Sequence, residues 1–174
     1  LRLALEPLQQ HRYTTKFGGA TGGMNAHYLT YPDVDWETFA NEFVASFGSV
    51  ERQQFTTQIE NYDGMGAVFD ACKRINVVLL DLCQDVWHYI SLGYLKQKVD
   101  LTSTGSSTMP HKVNPILFEN AEGNLLIADA LFELFARKLP VSRLQRDLTD
   151  STVSRNIGTA FGHTVLAMKN IQAG

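Results

Sequence analysis

Between Pro32 and Pro110 the chain carries no proline, and inside that span Met65, Val68, Cys72, Ile75, Leu79, Leu82, Val86 and Tyr89 follow one another by alternating steps of three and four. This spacing predicts one long α-helix with an apolar seam nearly four heptads in length. Phe69, Val78 and Cys83 widen the stripe beyond two positions per heptad. Such a rod needs several neighbours around it, as in a helix bundle, and has too few polar residues for a solvated helix.

The rest of the chain supplies those neighbours. Leu1, Leu3, Leu5 and Leu8 read as the tail of a helix, and Ile116 to Arg137, with Leu125, Leu126, Ile127, Ala130, Leu131, Leu134 and Phe135, is apolar on nearly every side. The latter is expected to be a central, buried helix. Asp33 or Asp35 can cap a helix that carries Trp36, Phe39, Phe43 and Phe47 and ends at Gly48. Tyr13 to Gly23, YTTKFGGATGG, joins a short β-prone run to a glycine cluster and predicts a small β-hairpin or an extended arm. Pro140 breaks the chain, residues 137–150 form a charged loop, and Val153, Ile157, Ala160, Phe161, Thr164, Val165 and Met168 mark a last helix capped by Thr149 or Asp150. The fold class is all-α, built of long helices, and its apolar excess implies that other subunits complete the bundle.

Composition narrows the partners. The 174 residues carry 15 Lys and Arg against 18 Asp and Glu, a formal charge of −3, which lacks the basic excess that nucleic acid or a membrane surface attracts. An anionic ligand must therefore be held by a local cluster. Cys72 and Cys83 lie eleven apart on one predicted helix, too far along its axis to bond to each other, and read as buried thiols in a reducing compartment. No run reaches the roughly 18 apolar residues of a membrane span, and the first ten residues lack a secretory pattern, so a cytoplasmic protein is expected. The chain has no initiator Met, begins in mid-helix and stops at Gly174 behind an amphipathic run, and reads as a piece of a longer one.

The helical pattern is interrupted once by residues that neither continue a helix nor bury well: TGSSTMPHKVNP, Thr104 to Pro115. Ser106, Ser107, Lys112 and Asn114 concentrate hydroxyl, ammonium and amide donors for an anion, although a solvated polar loop has the same composition. A Walker phosphate loop is excluded, because the fifth and sixth residues after Gly105 are Pro110 and His111, not Gly and Lys. Downstream, Arg143, Arg146 and Arg155 bracket the helix start at Ser151, Thr152 and Ser154, which by themselves read as an ordinary capped helix with solvated arginines. Free amides in a first helical turn favour a phosphate there.

The loop closely resembles the signature loop of the fumarase/aspartase superfamily, G-S-S-x-M-P-x-K-x-N, at all seven fixed positions. TTQIENYD before the long helix, ILFENAEGN after the loop, and KLPVSRLQRDLTDSTVSRN are similar to the adenylosuccinate lyase family within it, over essentially all 174 residues. The resemblance implies that residues 1–174 form part of the central helical-bundle domain of a longer lyase, with residues 104–115 as its signature loop. It also implies a β-elimination of fumarate from a succinylated purine nucleotide or imidazole-carboxamide ribotide, with neither metal nor organic cofactor, in a homotetramer whose active sites are shared between subunits.

Carried over residue by residue, Ser106 is implied as the base and Ser107 as a contact to the substrate carboxylate, an assignment that adjacent serines leave reversible. Lys112 and Asn114, with the loop backbone at Val113, would stabilise the doubled charge of the carbanionic intermediate. A serine acts as a base only where water is excluded and positive charge is close, so the loop is expected to close over the substrate. Glu119 is implied to orient a histidine that protonates the leaving nitrogen; near a helix start it equally suits the dipole. That histidine belongs to an upstream segment, and His11, His27, His88, His111 and His163 match no family motif. Gln58, Asn120, Arg146 and Ser151, Thr152, Val153, Ser154 and Arg155 are implied substrate contacts, the last group for the 5′-phosphate. The chain alone is expected not to turn over substrate. Rival readings are another superfamily lyase or cycloisomerase, and a non-catalytic helical assembly module in which the loop is only a connector.

Overall fold

The computed structural model describes residues 1–96 and 114–174. Among these the chain runs through α1 (Arg2–Gln9), β1 (Tyr13–Thr15), α2 (Asn25–Thr30), α3 (Trp36–Ala45), β2 (Val50–Arg52), α4 (Asp63–Ser91), α5 (Ile116–Lys138), α6 (Thr149–Ser154) and α7 (Ile157–Ala173). The expected all-α bundle forms: α5 packs along α4 on one side and α7 on the other, with α1 laid against α4.

The heptad seam of α4 is buried in its middle, at Cys72, Ile75 and Leu79, and open towards its ends, where Met65, Leu82 and Tyr89 are about two-fifths exposed. Two core clusters result. In one, Phe69 of α4 stacks on Phe132 of α5 with ring centres 5.8 Å apart, and Phe135, Leu139 and Ala160 close around them. In the other, Ile75, Leu79 and Cys83 meet Phe118, Leu125 and Ala167. Each fully buried large side chain contributes about 1.5–3 kcal/mol. Ala121 and Ala128 on α5 and Ala160 and Ala167 on α7 are wholly buried, and this seven-residue repeat of small side chains lets the two helices approach closely. Both cysteines are buried and free.

Polar rungs lace the α4–α5 seam between these apolar patches. The Lys73 ammonium pairs with Glu133, Asn76 Nδ2 donates to Asp129 Oδ1 at 2.8 Å, Gln84 Nε2 donates to Glu122 Oε1 at 3.1 Å, and Trp87 Nε1 donates to Glu119 Oε1 at 3.0 Å. The pairs descend one helix as they climb the other, as antiparallel neighbours require. Every donor stands on α4 and every carboxylate on α5.

Four sequence expectations need correction. The extended run at Tyr13 is not a hairpin: β1 pairs in parallel with β2, Tyr13 opposite Val50 and Thr15 opposite Arg52. A parallel pair cannot close through a tight turn, and the crossover here holds α2 and α3. The glycine cluster is instead a compact loop in which Gly22, at φ +82°, lies so close to the next segment that a Cβ would sit 2.0 Å from the Thr56 carbonyl oxygen.

The last helix is two helices, and neither Thr149 nor Asp150 caps it. Asp147 does so from outside, with Oδ1 accepting the Thr149 N–H at 2.9 Å and the Thr149 hydroxyl at 2.7 Å. These hydrogen bonds favour the ionised form and hold the Asp147 carboxyl down at about 2. Helix α5 is central but not enclosed, because Leu126 and Ile127 remain half exposed. Upstream, Asp35 rather than Asp33 caps α3, accepting from the Thr38 N–H and hydroxyl. That helix ends before Phe47.

Candidate functional site

Among the described residues, the site residues implied by the sequence fall at opposite ends of the bundle. At one end α5 begins. Asn114 is half-buried there, and Glu119 one turn later turns towards α4 and accepts the Trp87 indole N–H. Gln84, Trp87, His88, Glu119 and Glu122 line an open cleft of about 490 Å³. It therefore holds two carboxylates, each already oriented by a neutral donor from α4.

Asn120 turns the other way, towards α7, where its Oδ1 accepts from Asn170 Nδ2 at 2.6 Å and from Asn124 Nδ2 at 3.0 Å. Asn124 Oδ1 in turn lies 2.7 Å from His163 Nδ1. Glu119 and Asn120 are thus adjacent in sequence but face different neighbours. Ser106, Ser107, Lys112 and Val113, with residues 97–113 as a whole, lie outside the described residues.

The other end gathers Gln58, Arg146 and α6. The loop carrying Gln58 is anchored three ways. Lys16 Nζ donates to the Gln58 carbonyl, Gly22 seats against Thr56, and Glu60 accepts from the Tyr62 backbone N–H at 2.7 Å. Its side chain is left exposed. Tyr62, at φ 59°, opens α4 and packs with Val153 and Ile157 on the phenylalanine cluster. Burial, then the negative charges of Asp150 and Glu60, push its phenol upward, so it is a neutral donor and not an anion.

Around α6 the cations outnumber the carboxylates. Asp147 lies 3.6 Å from both Lys138 and Arg143, and Asp150 lies 4.0 Å from Arg146. With Arg155 at the end of α6 that makes, among the described residues of this segment and its ion pairs, four cations against two carboxylates on a chain that is negative as a whole. Ser151 donates its hydroxyl to the Leu148 carbonyl at 2.8 Å, Thr152 and Arg155 face outward, and Val153 packs inward. Val153 can therefore offer a ligand its backbone but not its side chain.

Glu119 and Lys138 mark the two ends on one helix, about 28 Å apart at 1.5 Å rise per residue. One chain brings Glu119 together with Asn114, and Arg146 together with the 151–155 segment, but does not bring the two groups to each other. Trp87, Gln84 and Asp147 belong with these groups, and sequence reasoning passed over all three. Trp87 and Gln84 stood out only once the register of α4 on α5 was fixed; Asp147 carried its own signal, an Asp two residues before a Thr that starts a helix. Of the histidines, His11 and His27 stack edgewise on Tyr13 and Trp36, while His88 lines the cleft. Among the described residues no group of three or more His, Cys, Asp or Glu could hold a metal ion.

Residues 3–127 match the family model described as lyase, and residues 142–174 match that of the adenylosuccinate lyase C-terminal region. Similar proteins include adenylosuccinate lyases of Dictyostelium discoideum, 58% identical over 93% of this chain and 35% of that protein, and of Escherichia coli, 50% identical over 96% and 36%. The adenylosuccinate lyase of Haemophilus influenzae is 46% identical over 100% of this chain and 38% of its own length. The chain thus spans about a third of the length of the curated relatives it matches.

Proposed function

We propose, on the ground that this chain belongs to the lyase family, that it is part of an adenylosuccinate lyase, which releases fumarate from adenylosuccinate and from the related succinylated imidazole-carboxamide ribotide in purine nucleotide synthesis. The observation that carries this reading is the identity of 46–58% to adenylosuccinate lyases along nearly the whole chain. The seven-position match of the loop, a feature of the whole superfamily, supports the reaction class.

The reaction removes a weakly acidic proton next to a carboxylate and then breaks the C–N bond. In this reading Ser106 takes the proton, Ser107 contacts the carboxylate, and Lys112, Val113 and Asn114 stabilise the added charge. Glu119 orients the histidine that returns a proton to the leaving nitrogen, with Asn120 and Gln58 as polar contacts. Arg146 and the segment Ser151, Thr152, Val153, Ser154 and Arg155 take the 5′-phosphate. The local positive excess around α6 suits a dianion.

The separation of about 28 Å between the two groups favours active sites assembled from different subunits, and the family reading makes that assembly a homotetramer in the cytoplasm. The half-exposed Leu126 and Ile127 on the central helix supply an apolar surface for that association. Among the described residues no helix is long and apolar enough to cross a membrane.

Full-length protein with Ser106→Ala, assayed for fumarate release from adenylosuccinate, tests the reading. The expected result is a loss of at least about 10²-fold in kcat with the oligomer intact. Unchanged turnover would overturn the assignment of Ser106, and an unaltered protein that releases no fumarate would overturn the lyase reading in favour of a helical assembly module.

A further inference from the structure

We propose that Trp87 is a positioning residue for Glu119: its indole N–H, presented from α4, fixes the carboxylate that the lyase reading assigns to orienting the leaving-group acid, so the inference rests on that reading. The contact is a direct one, Trp87 Nε1 to Glu119 Oε1 at 3.0 Å, at the mouth of the cleft that both residues line.

Geometry distinguishes this contact from a casual surface pair. Glu119 stands in the first turn of α5, and three further rungs between α4 and α5, at Gln84–Glu122, Asn76–Asp129 and Lys73–Glu133, hold the two helices in one register. The carboxylate therefore meets a donor whose own backbone is fixed by the length of the seam. An indole N–H is a donor only and does not ionise, so it offers the carboxylate the same hydrogen bond at every working pH and brings no competing positive charge. It also occupies one lone pair of Oε1. That limits the rotation of the carboxyl group about its last torsion, a terminal sp³–sp² bond that otherwise has a broad, shallow profile.

A group held this way contributes to turnover by orientation, with little effect on substrate affinity. Trp87→Phe keeps an aromatic ring in a half-exposed position and removes only the donor. In the full-length protein the expected result is a fall in kcat of about tenfold, the size of one hydrogen bond to a charged group, with KM within about twofold of the parent. Because Trp87 acts through Glu119, the same substitution placed on Glu119→Ala is expected to cost nothing further.

The proposal is overturned by a Trp87→Phe kcat within twofold of the parent, by a change confined to KM, or by a loss of the same factor in both backgrounds. The last outcome, with a lowered melting midpoint, marks Trp87 as a rung of the seam and no more. Turnover in the unaltered protein with any of these three sinks this inference alone, whereas no turnover in the unaltered protein sinks the lyase reading and this inference with it.

Discussion

At the residue scale, Asp147 shows how one side chain outside a helix governs its start. It satisfies the Thr149 N–H and hydroxyl and faces Lys138 and Arg143. Its carboxyl is held below the usual carboxylate range, at about 2, so its contribution to stability is full above the unfolded pKa of about 3.9 and is lost as pH falls towards 2. Asp147→Ala is expected to lower the melting midpoint at pH 7 by about 2–4 °C. The gap to the parent should narrow as pH drops below about 4, which melting curves across that range would register; a gap independent of pH would remove the charge from the explanation. Reading Thr149 or Asp150 as the cap failed because both are capable residues at the right place, and only the backbone path shows that Asp147 precedes them as the acceptor.

At the scale of elements, the long helix and its neighbour were legible because the three-and-four spacing of Cys72, Ile75 and Leu79, and the apolar density around Leu125 and Phe132, are local properties of the chain. The β pair was not legible, since Tyr13 meets Val50 across a crossover of two helices and no local rule reaches that far. The polar seam was hidden for the same reason. Asn76 alone looks like a misplaced amide in a heptad; beside Asp129 and Thr164 it is a satisfied donor at the centre of three helices.

Asp129 bears on stability with the opposite sign to Asp147. Burial raises its carboxyl above the ordinary value, against the Asn76 hydrogen bond and the Lys73 charge. A raised carboxyl favours the fold while protonated and costs stability as pH rises through its folded pKa. Asp129→Asn, which can accept the same hydrogen bond, should match or exceed the parent in denaturant midpoint at pH 7, with the difference vanishing below about pH 4. A variant clearly weaker at pH 7 would mean that the attraction of Lys73 outweighs burial.

At the scale of the whole molecule, the sequence offers the candidate site as a set of residues and not as a place. Matching motifs named Glu119 and Arg146 together, but the bundle sets them at opposite ends of α5. Sequence spacing cannot tell a site folded within one chain from one completed by a neighbour. The half-exposed Ile127 gives a test of assembly. Ile127→Asp puts a charge on the outward apolar face of α5, and in the full-length protein it should lower the mass measured by light scattering while leaving the helical circular dichroism unchanged. An undiminished assembly would move the subunit contact to another face.

The one-sided arrangement of the seam, amides, ammonium and indole on α4 against acids on α5, also constrains how such a chain can diverge. Losing an acceptor strands a donor, and exchanging a donor for an acid sets like charges against each other, so either change at one rung demands an answering change across it. Descendants of this chain should therefore keep an acceptor on α5 wherever α4 keeps its donor, and lose the two together.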